Sequence, residues 1–102
     1  MNKFNNIKSQ VQIMETIEIS INDLKNPAII NKLADYYKTI IVCKCRICGS
    51  IHKIHVFTND LCLWLSGKMF IQNALIELKP DERELLQSQI CGTCFDKIFK
   101  DE

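Results

Sequence analysis

Four of the six cysteines occur as two Cys-x-x-Cys pairs, Cys45 with Cys48 and Cys91 with Cys94. Two intervening residues let a tight turn direct both thiolates at one ion, and two such pairs complete the tetrahedral coordination that zinc prefers. We therefore predict a Zn²⁺ site with these four ligands. Because four cysteines leave no open position for water or substrate, we expect a structural ion and a protein that is not an enzyme.

Other interpretations of the cysteines stay open. A thioredoxin-like enzyme places one pair between a strand and a helix of a βαβ unit, which fits poorly with two pairs and no such unit. Buried thiols at chance spacing are the remaining alternative. Cys43 lies two residues before Cys45 on the same predicted strand face, so it could replace Cys45 as a ligand. Cys62 lies in an apolar stretch and is expected to be a small core residue.

No other set of residues indicates catalysis. His52 and His55 are an odd number of positions apart on a predicted strand, so their side chains face opposite sides. The sequence contains neither a nucleotide-binding loop nor a serine nucleophile motif. Glu82-Arg83-Glu84 could be mistaken for a catalytic carboxylate pair, but we interpret it as the solvated face of a helix whose early acidic residues offset the helix dipole.

Two different elements must position the two cysteine pairs. The β-branched run at 39–42 and the strand-like segment at 51–58 predict a hairpin with the first pair at its tip, where Gly49 permits the turn. The second pair is expected in the opening turn of a final helix, where free amides and the helix dipole stabilise thiolates. The apolar stripe of that helix would be Phe95, Ile98 and Phe99.

Residue periodicity outside the pairs predicts the remaining elements. They are a strand at 11–21, a helix at 27–38 started by Asn26-Pro27, a short helix through Leu61, Cys62, Trp64 and Leu65 capped by Thr58 or Asn59 and ended by Gly67, a short helix or turn within 69–78, and a helix that begins at Pro80. The 42 residues between Cys48 and Cys91 exceed the usual zinc-ribbon spacing of about 15 to 20, so helices must lie between the two halves of the site.

These elements predict an α+β fold. It would comprise a short antiparallel sheet with a zinc knuckle hairpin, a treble-clef-like arrangement and about four short helices. The 102 residues are expected to form a single domain, 1–102, as is common at this length. Residues 1–40 would be an N-terminal strand–helix extension and residues 41–102 the zinc-binding module.

Charge and hydropathy limit the functions that fit. The formal charge is +1, and the loss of four thiol protons with the gain of one Zn²⁺ changes it to about −1. Such a balance argues against a strongly basic nucleic-acid binder and against an acidic imitation of DNA. No segment reaches the length of a membrane span and the first residues lack a signal peptide's apolar core, so we expect a cytoplasmic protein with no membrane partner.

From Cys45 onward the chain resembles small phage and prophage zinc-finger-like proteins. Trp-x-x-Gly, Glu-Arg-Glu-Leu-Leu and Cys-x-x-Cys-Phe-Asp occur in order. The residues that carry the resemblance are Cys45, Cys48, Gly49, Trp64, Gly67, Ile71, Gln72, Ala74, Leu78, Glu82, Arg83, Glu84, Leu85, Leu86, Ser88, Ile90, Cys91, Cys94, Phe95, Asp96 and Phe99. Lys79 and Ile76 depart from that pattern, in which a Ser or Thr cap and a proline are usual.

This resemblance implies a phage protein in the cytoplasm of its bacterial host. Some phage anti-CRISPR proteins that inhibit type II RNA-guided nucleases contain zinc, so the resemblance is compatible with an inhibitor that binds such a host nuclease and blocks DNA loading or cleavage. The alternative is a nucleic-acid-binding or transcription-associated zinc finger that uses Lys44, Arg46, Lys53 and Lys68 around the knuckle. A structural phage component is a third possibility.

Overall fold

The computed structural model describes residues 16–99, which form an α+β fold with a three-stranded sheet and five α-helices. The strands are β1 (Thr16–Ser20), β2 (Lys38–Lys44) and β3 (Ile51–Phe57). A 3₁₀ helix (Ile21–Lys25) follows β1; the α-helices are α1 (Ile29–Leu33), α2 (Thr58–Leu65), α3 (Ile71–Ala74), α4 (Pro80–Ser88) and α5 (Gly92–Phe99). Residues 11–15 of the strand predicted at 11–21 lie outside the described residues, and the rest corresponds to β1.

The sheet is mixed. Its strand order is β1-β2-β3, with β1 parallel to β2 and β3 antiparallel to β2. The predicted hairpin of β2 and β3 is confirmed, but the prediction of an antiparallel sheet is wrong for β1. Parallel neighbours need a crossover connection, and the 3₁₀ helix and α1 supply it between β1 and β2.

A short 3₁₀ helix that we did not predict continues directly from β1. The hydroxyl of Ser20 accepts a hydrogen bond from the Asn22 amide at 3.2 Å, and the carboxylate of Asp23 accepts one from the Ser20 amide at 3.2 Å. These reciprocal bonds satisfy amides that a helix start leaves without a backbone partner. The local caps therefore end the strand at Ser20.

The helix predicted at 27–38 is wrong in both of its boundaries. Asn26 accepts at Oδ1 from the Ala28 amide at 3.0 Å, which makes a local turn around Pro27, and α1 begins only at Ile29. At its other end α1 stops at Leu33, and four residues later the Tyr37 carbonyl accepts from the Thr58 amide at 3.0 Å. The chain at Tyr37 thereby leads into β2.

One face of the sheet is covered, and its residues form the core with the helices. Burial alternates along β2 and β3, as expected for strands with one protected face. Leu33 of α1 and Leu61 of α2 are completely buried in the same core. The core residues contributed by the sheet are Ile19, Thr39, Ile41, Cys43, Ile54 and Val56. Residues before and after position 40 thus share one core.

Helix α2 contains the predicted residues Leu61 to Leu65 but lacks the predicted side-chain cap. It spans Thr58–Leu65 with Phe57 at the N-cap position and no side-chain cap. The Thr58 hydroxyl instead lies 2.8 Å from the Thr39 hydroxyl in a buried hydrogen bond between α2 and β2. Gly67 adopts a φ of 80°, and this left-handed backbone conformation ends the helical segment as predicted.

Arg83 is not part of a solvated helix face, and our interpretation of that position is wrong. Its Nη1 donates to the carbonyl of Leu78 at 2.7 Å and to the carbonyl of Leu75 at 3.2 Å. These charge-assisted bonds tie α4 to the turn that follows α3. At the start of α4 the Glu82 carboxylate accepts from the Lys79 amide at 3.0 Å, and Pro80 occupies the first turn as predicted.

The predicted apolar stripe of the last helix is largely exposed. In α5 Ile98 is 47% and Phe99 58% exposed, whereas Phe95 is half-buried and its ring lies 4.4 Å from that of Phe99. Cys94 is the buried residue of this helix. Within residues 16–99 no helix is long and apolar enough to span a membrane.

Candidate metal centre

The turn between β2 and β3 positions the first cysteine pair. The Cys45 amide donates to the Ser50 carbonyl at 2.9 Å, and the Gly49 amide donates to the Cys45 carbonyl at 2.9 Å. Gly49 has a φ of 78°, a conformation that costs little only without a side chain. This hydrogen-bonded turn is the predicted knuckle, and it directs Cys45 and Cys48 to the same side.

The start of α5 positions the second pair. Cys91 directly precedes the helix, and its carbonyl accepts the first helical hydrogen bond, from the Phe95 amide at 2.8 Å. Cys94 follows within the first turn. This matches the expected placement of both residues at the positive end of a helix dipole, where thiolates are stabilised.

A left-handed turn at Gln89 brings the second pair to the first. Gln89 ends α4 with a φ of 63°, and its carbonyl accepts from the Arg46 amide of the knuckle at 2.9 Å. Two residues later, the Cys91 amide donates to Cys45 Sγ at 3.3 Å. The helical and hairpin halves are therefore joined by backbone hydrogen bonds as well as by their sulfur atoms.

The four predicted ligands lie together. The Sγ atoms of Cys45, Cys48, Cys91 and Cys94 are all within 4.8 Å of one another, and those of Cys48 and Cys91 are 3.8 Å apart. A tetrahedron with zinc–sulfur bonds of about 2.3 Å has edges of about 3.8 Å. All four cysteines are free thiols, so the cluster has the donor number and spacing to hold a metal ion.

The local environment favours the thiolate at the knuckle. Hydrogen bonds from the amides of Cys48 and Cys91 lower the pKa of Cys45 to about 5. The Ser50 hydroxyl lowers the pKa of Cys48. Burial, reinforced by the neighbouring thiols, instead raises the pKa of Cys94 to about 12. The hairpin half therefore accommodates the negative charge of its thiolates, whereas the thiolate of Cys94 in the helical half needs a nearby cation.

The side chains of Ser50 and His52 form a hydrogen-bonded series next to Cys48, the one exposed cysteine of the cluster. The Ser50 hydroxyl lies 3.1 Å from Cys48 Sγ and 2.8 Å from His52 Nε2. When the hydroxyl donates to the thiolate, the imidazole N–H donates to the hydroxyl oxygen. Outer partners of this kind orient metal ligands. The signal for it in the sequence is a serine two residues after Cys48.

The other two cysteines lie outside the cluster. Cys43 is completely buried on the covered face of the sheet, and burial raises the pKa of its thiol to about 11. It is not among the grouped sulfurs, so the structure does not bring it to the position of Cys45. Cys62 packs against the core as predicted, and burial raises its pKa.

Comparison with known proteins identifies no significant relative of this chain. No protein-family model, curated protein or solved structure matches the chain significantly. The resemblance to phage zinc-finger-like proteins therefore stays a prediction, as does the treble-clef description of the fold.

Proposed function

We propose that this chain is a phage protein that binds and inhibits a type II RNA-guided nuclease in the cytoplasm of its bacterial host. Zn²⁺ held by Cys45, Cys48, Cys91 and Cys94 would stabilise its fold. The observation that carries the structural part of the proposal is the closed set of four sulfurs within 4.8 Å of one another. Such a set fixes a scaffold and offers no coordination position for a substrate.

The donor chemistry supports zinc as the ion. Thiolates are soft ligands that select zinc, copper(I) or iron, and a tetrahedral set of four is typical of zinc or iron. The protein as purified should contain one zinc per chain by elemental analysis and should lack the visible absorption of an iron–thiolate site. A visible absorption band with iron in place of zinc would overturn the assignment of the metal.

The resemblance and the surface support a protein partner. Large apolar side chains are exposed on several elements, with Phe70 74% and Ile76 70% exposed. Because the formal charge of +1 falls to about −1 with zinc bound, docking on a protein domain suits this chain better than imitation of DNA. The phage origin and the nuclease target rest on the residues from Cys45 onward that match the phage pattern.

The nucleic-acid alternative finds less support in the described residues. Of the four cations it would use, Lys68 is separate from the others. Lys68 lines a separate surface cavity with Ile30 and Cys62, not the cleft at the knuckle that Lys44 and Arg46 line. The four side chains are therefore not one continuous basic patch around the knuckle.

Mixing the purified full chain with the nuclease and its guide RNA tests the proposal. We expect co-elution on gel filtration and loss of target DNA binding or cleavage, neither of which the Cys91→Ser variant should produce. Bare DNA serves as the second probe. A salt-dependent complex with DNA and none with the nuclease would favour the zinc-finger alternative. Failure to bind or inhibit the nuclease would overturn the inhibitor proposal.

A further inference from the structure

The sheet has a second face that no residue from 16 to 99 buries. Strand register places alternate residues of all three strands on it, opposite to the face that packs against the helices. Every one of these residues is exposed or half-buried. We call this surface the open face; it consists of Thr16, Glu18, Ser20, Lys38, Ile40, Val42, Lys44, Ile51, Lys53, His55 and Phe57.

Apolar side chains occupy the middle and one corner of the open face. Ile40 and Val42 of the central strand are half-buried, and Ile51 on β3 is 59% exposed. A solvated sheet face normally alternates to polar residues at such positions. A group of aliphatic side chains that no element within residues 16–99 covers is typical of an interaction surface.

The charges around this apolar centre are predominantly positive. Lys38, Lys44 and Lys53 lie on the open face together with one carboxylate, that of Glu18. At one end the face leads into a cleft between the 3₁₀ helix and the knuckle. Lys44 and Arg46 line this cleft together with Cys45 and Cys48 of the metal cluster, and no carboxylate of the described residues does. The open face, with three lysines to one carboxylate, therefore complements a partner that carries negative charge.

The single ion pair on the open face lies across the central strand. Lys53 is opposite Val42 in the register and Glu18 is beside Ile40, yet Lys53 Nζ and Glu18 Oε2 are 3.7 Å apart. The two edge strands are separated by about twice the strand spacing of about 4.8 Å, so both side chains must reach over β2. The two side chains remain 57% and 51% exposed, so the pair adds little to stability and can open.

Aromatic contacts argue against a nucleic-acid partner for this face. Sequence-tolerant binding of single strands depends on aromatic rings that are free to stack on bases. Phe57 is the one phenylalanine, tyrosine or tryptophan of the open face, and its ring is 5.5 Å from the Tyr37 ring and 5.5 Å from Lys38 Nζ. The aliphatic centre with a cationic rim resembles the anatomy of a protein–protein interface.

We infer that the open face is the docking surface for an acidic protein segment with an apolar centre. The inference rests on the proposed function, for which it names the contact surface. The Glu18–Lys53 pair opens as the partner binds, so that Lys53 contacts partner carboxylates and Glu18 opposes them. The two members of one ion pair therefore have opposite effects on binding.

Charge removal at the two members of the pair tests this inference. At low salt, the affinity of the full chain for the nuclease–guide complex should fall about threefold in Lys53→Gln and rise about threefold in Glu18→Gln, since rim charges act on association. The double variant should return close to wild type.

Ile40→Glu should weaken binding about tenfold or more, because a carboxylate would face the acidic partner without a counter-charge. Lys32→Gln on α1 is the matched control and should leave the affinity unchanged.

The outcomes separate this inference from the proposed function. If wild type binds the nuclease but both members of the pair change affinity in the same direction, or not at all, the docking surface is wrong and the inhibitor proposal stands. If wild type does not bind, the inhibitor proposal fails. Titration of isotope-labelled protein with polyglutamate, monitored by amide chemical shifts, then decides the surface. Salt-sensitive shifts on β2 and β3 support the inference, and no shifts there, or shifts with a DNA or RNA oligonucleotide alone, overturn it.

Discussion

The hairpin and helical halves of the cysteine cluster are built on different physical principles. At the hairpin, backbone hydrogen bonds within a few residues form the turn, and amide and hydroxyl donors already stabilise its thiolates. At the helix, Cys94 is the buried residue of α5, and burial raises its pKa. This difference predicts that the knuckle keeps its turn without metal, whereas α5 loosens first when the ion is removed.

Replacement of Cys94 by serine should have the largest effect. The variant loses one thiolate and with it the metal, and zinc binding in small zinc domains is worth about 10–16 kcal/mol of folding free energy. We expect no bound zinc by elemental analysis and loss of the cooperative thermal transition by circular dichroism. Cys62→Ser, which changes a cysteine outside the cluster, should retain one zinc. One zinc and an unchanged melting temperature in Cys94→Ser would contradict the assignment of this ligand.

Metal removal should affect the two halves to different extents. On addition of a chelator to the wild-type chain, amides of α5 should exchange with deuterium before those of β2, because few side chains of α5 besides Cys94 are buried. Hydrogen exchange followed by mass spectrometry measures both segments in one sample. Simultaneous loss of protection in β2 and α5 would show that the knuckle is no more preorganised than the helix.

Removal of the Ser50 hydroxyl should have a smaller effect, confined to the hairpin half. Ser50→Ala deletes the hydrogen bond to Cys48 Sγ, and a loss of about 1 kcal/mol corresponds to about fivefold faster transfer of zinc to a competing chelator. Ser66→Ala is the control, since that hydroxyl donates to the Leu63 carbonyl in another part of the chain. Equal transfer rates for wild type and Ser50→Ala would show that the hydroxyl does not stabilise the bound metal.

Glycine at position 89 should give a change no larger than this, and in the stabilising direction. Gln89 is the one non-glycine residue with positive φ among residues 16–99, and glycine adopts that conformation with about 1 kcal/mol less strain. Gln89→Gly should raise the melting temperature by about 4–8 °C, whereas Gln89→Ala should not. A lower melting temperature for Gln89→Gly would mean that the glutamine side chain contributes more to the turn than its backbone strain costs.

The local features were predictable from the sequence. Two Cys-x-x-Cys pairs, Gly67 after a helix and Pro80 at the start of another each act through neighbouring residues, and each appears where expected. The convergence of Cys45, Cys48, Cys91 and Cys94 also followed from their spacing, because few arrangements besides a metal site explain two such pairs.

The long-range features were not predictable. The parallel pairing of β1 depends on the crossover that follows it, and the donation of Arg83 to carbonyls after α3 depends on how two helices pack. Thr58 was expected to cap α2, but its hydroxyl is paired with Thr39, 19 residues earlier in the chain. A side chain with several possible partners cannot be assigned one until the tertiary structure brings the partners together.

Cys91 lies 43 positions after Cys48 in the sequence, and this spacing bears on where residues can be inserted. Ligation of both cysteines by one ion closes a loop, whose entropic cost grows only with the logarithm of its length, by about 0.6 kcal/mol for each doubling. The exposed turn at 66–70 lies inside that loop. New residues added there would therefore cost the metal site little, and this turn is where the protein can acquire length.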